Sequence, residues 1–184
     1  KRTQMHSIRV SKYSVMIARE LGFSEKECEN LRKVALLHDI GKIGIPDRIL
    51  NKPAKLTDEE YAIMKSHVTI GAEILKNFKS IEHLTDGIKY HHERYDGRGY
   101  VLGLKGDEIP IYGRIIAVAD TFDAMTANRV YRKQLDIGVV LAEIERCKGS
   151  QFDPVCADIL LRLVHEGKID ISKLYQDNES ESVV

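Results

Sequence analysis

The sequence predicts an all-α fold, a helical bundle of about seven helices with one long Gly-rich loop. Two observations carry that expectation. Apolar residues recur every three or four positions along most of the chain. No stretch alternates apolar and polar residues convincingly over five or more positions, so none reads as a half-buried strand. The 184 residues suffice for one domain whose core needs neither disulfides nor a structural metal. Hydrophobic residues make up 43% and charged residues 30%, a globular composition rather than a disordered one.

The elements follow in order. Met5, Ile8, Tyr13, Met16, Ile17 and Leu21 stripe a first helix, which Gly22 is suited to stop. Ser24 and Glu27 read as a capping box for a second helix that buries Leu31, Val34, Ala35 and Leu37. That helix breaks in His38-Asp39-Ile40-Gly41-Lys42-Ile43-Gly44-Ile45-Pro46, where two glycines and a proline imply an irregular loop. Thr57 and Glu60 form a second capping box. Behind it Tyr61, Met64, Val68, Gly71, Leu75 and Phe78 predict one long amphipathic helix. Ile81, Leu84 and Ile88 mark a shorter one. From Glu93 to Ile109 runs a loop holding Gly97, Gly99, Gly103 and Gly106, long enough to be functional or mobile. Pro110 suits the first turn of a helix that buries Ile111, Ile115, Val118, Ala119, Phe122 and Met125. Asp136 starts another helix through about Cys147. Asp153-Pro154 starts a last one through about Val164, closed by Gly167. Residues 176–184 are acidic and Ser-rich and are expected to form a disordered tail to a domain spanning 1–175.

Charge and cysteine content bound the function. Lys plus Arg and Asp plus Glu both number 28, so no bulk field holds polymeric nucleic acid or an anionic membrane. Any phosphate chemistry must use a local cluster. No apolar run is long enough to span a bilayer, and no secretory signal is visible. Cys28, Cys147 and Cys156 are odd in number and lack metal-type spacing, which suggests reduced thiols in a cytoplasmic protein. The chain starts at Lys1 rather than Met. A fragment or processed chain, with a regulatory module upstream, is the expectation.

The histidines carry the chemistry. A lone histidine on an apolar helix face is usually a satisfied core residue, and His83 and His165 fit that description. His6, His38, His67 and His91 each lie on or beside the inward face of a different predicted helix. His38-Asp39 and His91-His92 add directly attached partners, and Asp120 sits at the edge of the inward face of the Pro110 helix. Burying several imidazoles and carboxylates without partners is costly, and a divalent cation removes that cost. Imidazoles and carboxylates converging from separate helices form a known type of bundle metal site.

His38-Asp39-Ile40-Gly41-Lys42 resembles the signature of HD-domain metal-dependent phosphohydrolases. His91-His92-Glu93-Arg94-Tyr95-Asp96-Gly97-Arg98-Gly99-Tyr100, Gly103-Leu104-Lys105-Gly106, Ile109-Pro110 and Ala119-Asp120-Thr121-Phe122-Asp123-Ala124-Met125-Thr126 resemble the HD-GYP subgroup. The similarity runs from about His6 to Asp153. It implies a phosphodiesterase that hydrolyses a cyclic dinucleotide second messenger, typically cyclic di-GMP, with two or three metals, often iron or manganese. By the same resemblance His6, His38, Asp39 and Asp120 hold one metal. Asp39 bridges to a second, held also by His67, His91 and His92. Lys42, Arg129 and Arg132 match phosphate-contacting positions, and Asp123 is a further candidate substrate contact. A hydroxide shared by the metals is the implied nucleophile, with Asp39 and Lys42 as the catalytic pair. Two adjacent cations activate a water and clamp the attacked phosphate, and fixed positive charge stabilises the transition state. Mixed His and carboxylate ligands suit six-coordinate iron or manganese better than a closed zinc site. A sensory or receiver domain upstream, and docking of a diguanylate cyclase on the Gly99-Tyr100 loop, are the partners the resemblance suggests.

Three positions depart from the family pattern. Val101 stands where the Gly-Tyr-Pro signature has proline, which removes a rigid φ from the loop. Val130 replaces proline in Arg129-Val130-Tyr131-Arg132, leaving the charges. Three-metal members carry a Glu four residues before the first ligand histidine, and here that residue is Arg2, which cannot ligate. Two metals, and linear pGpG rather than GMP as product, are therefore expected. The alternatives are a catalytically weak binding or docking module, a phosphodiesterase preferring mixed cyclic GMP-AMP, and another nucleotide phosphohydrolase.

Overall fold

The computed structural model describes residues 2–127 and 137–170, with residues 2 and 3 traced by backbone alone. Arg129, Val130, Arg132, Asp136, the 176–184 segment and the Arg2 side chain therefore lie outside the described residues. Among the described residues there are nine α-helices and no strand: α1 Arg2–Glu20, α2 Glu25–Leu37, α3 Asp47–Leu50, α4 Asp58–Lys65, α5 His67–Leu75, α6 Leu84–Tyr90, α7 Ile111–Ala127, α8 Ile137–Arg146 and α9 Pro154–His165. Two 3-10 turns, Ile40–Gly44 and Gly106–Glu108, punctuate the connections. No helix is long and apolar enough to cross a membrane.

Local chemistry sets the boundaries. Ser24 Oγ accepts from Glu27 N at 3.2 Å while Ser24 N donates to Glu27 Oε2 at 2.7 Å, the reciprocal bonds of a capping box. Thr57 and Glu60 repeat the arrangement at the start of α4. Asp153 caps α9 by accepting from Val155 N and Cys156 N. The single helix expected over Tyr61–Phe78 is instead two. Ser66 Oγ donates to the Ile63 carbonyl at 2.6 Å and His67 Nδ1 to the Met64 carbonyl at 2.7 Å. Such side-chain bonds to nearby carbonyls compete with the helical ladder. They end α4 at Lys65 and start α5 on His67, a residue of the site.

Helix α7 is the central element. It buries Tyr112, Ile115, Ile116, Val118, Ala119 and Phe122, each of the larger side chains contributing about 2 kcal/mol of apolar burial. α1 and α2 pack as a pair, with α1 also against α7; α6 lies on α2, α5 and α7, while α8 and α9 close the far side. The turn after α2 meets α5 where neither has a side chain. A Cβ on Gly41 would overlap the His67 carbonyl, so this approach of Asp39 to His67 requires glycine.

Candidate metal centre

Three histidines are prepared in the same way. His38 Nδ1 donates to the Ala35 carbonyl at 2.6 Å, His67 Nδ1 to Met64 at 2.7 Å, and His91 Nδ1 to Ile88 at 2.9 Å. A carbonyl only accepts, so each ring carries a proton on Nδ1, and in the neutral form its lone pair is on Nε2. All three Nε2 atoms are buried and have no hydrogen-bond partner, and neither does Asp39 Oδ1. Four such atoms in one place are anomalous for a protein interior. They converge: Asp39 Oδ1 lies 3.4 Å from His67 Nε2 and 3.9 Å from His91 Nε2.

The other carboxylate oxygen faces a second group. Asp39 Oδ2 lies 3.4 Å from His38 Nε2 and 3.9 Å from His6 Nε2, and Asp120 Oδ1 is 3.0 Å from His6 Nε2. Potential ligand atoms of Asp39, His67, His91 and His92 lie within 4.8 Å of one another, and so do those of His6, His38 and Asp120. The structure thus brings together all seven residues proposed from the sequence as ligands, in two groups with Asp39 between them. His83 and His165 belong to neither. His83 is exposed and bonds Asp86 at 2.9 Å.

The electrostatics fit a cation. Burial lowers the basicity of His67, His91 and His92, the last to about 4, so these rings are neutral donors. Burial pushes the Asp39 carboxyl up, but His38 and Lys42 outweigh it and hold the group well below the ordinary carboxylate range. Burial likewise disfavours charge on His6, yet its bonds to Asp120 and Asp123 raise it to about 9. Asp39 and Asp120 therefore increase the affinity of the second group for positive charge, whether proton or metal. Neutral imidazoles, ionised carboxylates and unpartnered lone pairs form a donor set for divalent metal ions.

Three side chains depart from the expectations of the sequence or were not foreseen by it. Asp123 was expected to touch substrate. It is fully buried, accepts from Arg9 Nε at 2.6 Å and Nη2 at 3.0 Å, and accepts His6 Nδ1–H at 2.7 Å. With its side chain fully buried, it offers no surface to a substrate. Its place is behind His6, fixing the ring so that Nε2 faces Asp120. Arg9, unnoticed in the sequence, grips Asp123 through both of its carboxylate oxygens. Glu93 received no role, yet it is buried and accepts from the backbone N–H groups of Leu102 (2.6 Å), Gly103 (3.1 Å) and Leu104 (3.1 Å). It gathers the Gly-rich loop beside His92, and Tyr100 from that loop stacks on the His92 ring at 4.9 Å. The loop expected to be loosened by Val101 is thus anchored by a carboxylate. Lys42 Nζ lies 2.6 Å from Asp39 Oδ2 and is one-third exposed, at the mouth of the site.

Comparison with known proteins agrees with this architecture. The HD domain family matches residues 1–156. The chain is 46% identical over 181 residues to a cyclic di-GMP phosphodiesterase of Thermotoga maritima, covering 97% of this chain and 48% of the relative. It is 41% identical over 161 residues to 3'3'-cGAMP-specific phosphodiesterase 2 of Vibrio cholerae, covering 86% and 31%. The chain thus spans less than half the length of these relatives. A crystal structure of a cyclic GMP-AMP specific phosphodiesterase from V. cholerae superposes with a TM-score of 0.69 at 24% identity, over 89% of this chain and 44% of that one, a likeness of fold. With the fold, the paired ligand groups and the family match in agreement, the chain belongs to the HD-domain family, of the HD-GYP type.

Proposed function

We propose that this chain is a phosphodiesterase that hydrolyses a cyclic dinucleotide, cyclic di-GMP to linear pGpG, with two divalent metal ions, iron or manganese, held by His6, His38, Asp39 and Asp120 and by Asp39, His67, His91 and His92. The observation that carries this reading is the set of four buried, unpartnered atoms, His38 Nε2, His67 Nε2, His91 Nε2 and Asp39 Oδ1. When bound, such metals activate water and neutralise the attacked phosphate. The chain's own residues do the rest. Asp39 holds the two ligand groups in register, and Asp123 with Arg9 fixes His6. Glu93 fixes the loop that carries Tyr100, and Lys42 offers a cation at the mouth for the phosphate, joined in this proposal by Arg129 and Arg132. Water adds to phosphorus, the P–O3′ bond breaks, and the 3′-oxygen leaves as a hydroxyl. An upstream regulatory domain, and docking of a cyclase on the loop where Val101 and Leu102 are exposed, belong to the same proposal.

The relatives named for cyclic GMP-AMP favour one second reading, a preference for the mixed dinucleotide. Anaerobically purified protein loaded with ferrous iron or manganese, incubated with each cyclic dinucleotide, tests both. The expected product from cyclic di-GMP is pGpG that accumulates, with GMP slow to appear because Arg2 replaces the Glu of three-metal members. Faster turnover of cyclic GMP-AMP would select the second reading. Metal-loaded protein that cleaves neither would leave a binding module. In the same assay Lys42→Ala is expected to lower turnover by about 10²–10³ while metal content stays near that of the parent. An unchanged rate would make Lys42 a solvated surface charge.

A further inference from the structure

Beyond the metal groups the wall of the site continues through Tyr100 to Lys65 and Tyr61, and no step above uses the last two. Tyr100 lies flat on His92, with ring planes 18° apart. Lys65 Nζ sits 5.8 Å from the Tyr100 ring centre and 5.0 Å from that of Tyr61. Tyr61 and Lys65 are one turn apart on α4, so they share a face, and the break at Ser66 sets that face next to His67. His67, His92, Tyr100, Lys65 and Tyr61 thus form one continuous surface leading away from the ligands.

Two properties of this surface point to a ligand. Among the described residues no carboxylate pairs with Lys65, whereas nearby Lys52 pairs with Glu60 and Lys76 with Glu73. Tyr61 leaves 48% of its surface in solvent, an exposed aromatic side chain beside the site. A cation resting on aromatic rings beside a phosphoryl centre matches a nucleotide, which offers a phosphate and a flat base together. A cyclic dinucleotide has two phosphates and two bases, and only one phosphate can lie at the metals when it is cut.

We infer that Tyr61 and Lys65 form the subsite for the uncut half of the substrate, Lys65 receiving the second phosphate and Tyr61 stacking on a purine. The inference rests on the cyclic dinucleotide reading above. It makes both residues determinants of specificity rather than of the chemical step.

The test compares two substrates on metal-loaded enzyme: cyclic di-GMP, and bis(p-nitrophenyl) phosphate, a small diester with no second phosphate and no purine. Tyr61→Ala and Lys65→Ala are each expected to lower kcat/KM for the cyclic dinucleotide about tenfold more than for the small diester, mostly through KM. Tyr61→Phe and Lys65→Arg should keep the parent ratio within about twofold, since the ring and the charge remain. Equal losses on both substrates, or none on either, would overturn the subsite. A parent enzyme that cleaves the small diester but no cyclic dinucleotide would overturn the substrate reading itself, and the subsite with it.

Discussion

Asp39→Asn is expected to abolish hydrolysis and to lower metal content at both positions together. The cause is the placement of one carboxylate between two ligand groups. Oδ1 faces His67 and His91, and Oδ2 faces His38 and His6. An amide has one oxygen acceptor and one NH₂ donor, so the substitution presents N–H to whichever group the nitrogen faces. It also removes the negative charge that pairs with Lys42 inside a largely buried site, leaving that ammonium without its partner. Both groups should lose affinity from one change, which no ligand belonging to a single group would cause. Metal analysis of the purified variant should therefore read well below the parent's two ions, with turnover under about one-thousandth of the parent's. His83→Ala, at an exposed residue bonded to Asp86, should alter neither quantity. Retention of both metals by the Asn variant would show that Asp39 does not join the groups.

What the sequence makes legible divides by the range of the interaction responsible. The capping boxes at Ser24 and Thr57 are visible because both partners lie within three residues. His6, His38, His67 and His91, the histidines proposed as ligands from four helices, are visible because each lies on or beside the inward face of a predicted helix. The split between α4 and α5 is not visible, because the apolar period continues through it while the bonds of Ser66 and His67 to carbonyls end the helix. The work of Asp123 is hidden for a different reason. It depends on Arg9, 114 residues away, reaching across from α1 to α7. A signal existed in the spacing: Arg9 is three residues after His6 and Asp123 three after Asp120, so two helices that meet at a His–Asp contact can meet again one turn on. Glu93 could have been suspected as a carboxylate beside a loop whose glycine-rich backbone leaves many N–H groups to satisfy. Which N–H groups it takes, those of Leu102, Gly103 and Leu104, is a matter of loop closure that no local pattern encodes.

Removing the metals is expected to cost the domain much of its thermal stability, with the melting temperature falling by roughly 10–20 °C on chelation and returning with manganese. Metal that binds the folded chain and not the unfolded one stabilises it by mass action. A ligand at a hundred times its dissociation constant stabilises the native state by about 2.7 kcal/mol, so two such sites give about 5 kcal/mol. For a domain of this length each kcal/mol shifts the midpoint by about 2–4 °C. The fold supplies a reason for the size of the response. His38 Nε2, His67 Nε2, His91 Nε2 and Asp39 Oδ1 are buried without partners, and each unsatisfied buried atom costs about 1–3 kcal/mol until something binds it. His91→Leu separates this cause from any general effect of metal on the protein. His91 is 2% exposed and its Nδ1 bonds carbonyls at the end of α6, so leucine fills much of the same space without the unpartnered nitrogen. In chelator the variant should melt no lower than the parent, because the orphaned atom is gone. With manganese it should gain less than half of the parent's increase, because one ligand group is incomplete. A parent protein that melts within about 2 °C with and without chelator would show that the buried lone pairs are satisfied by something other than a metal.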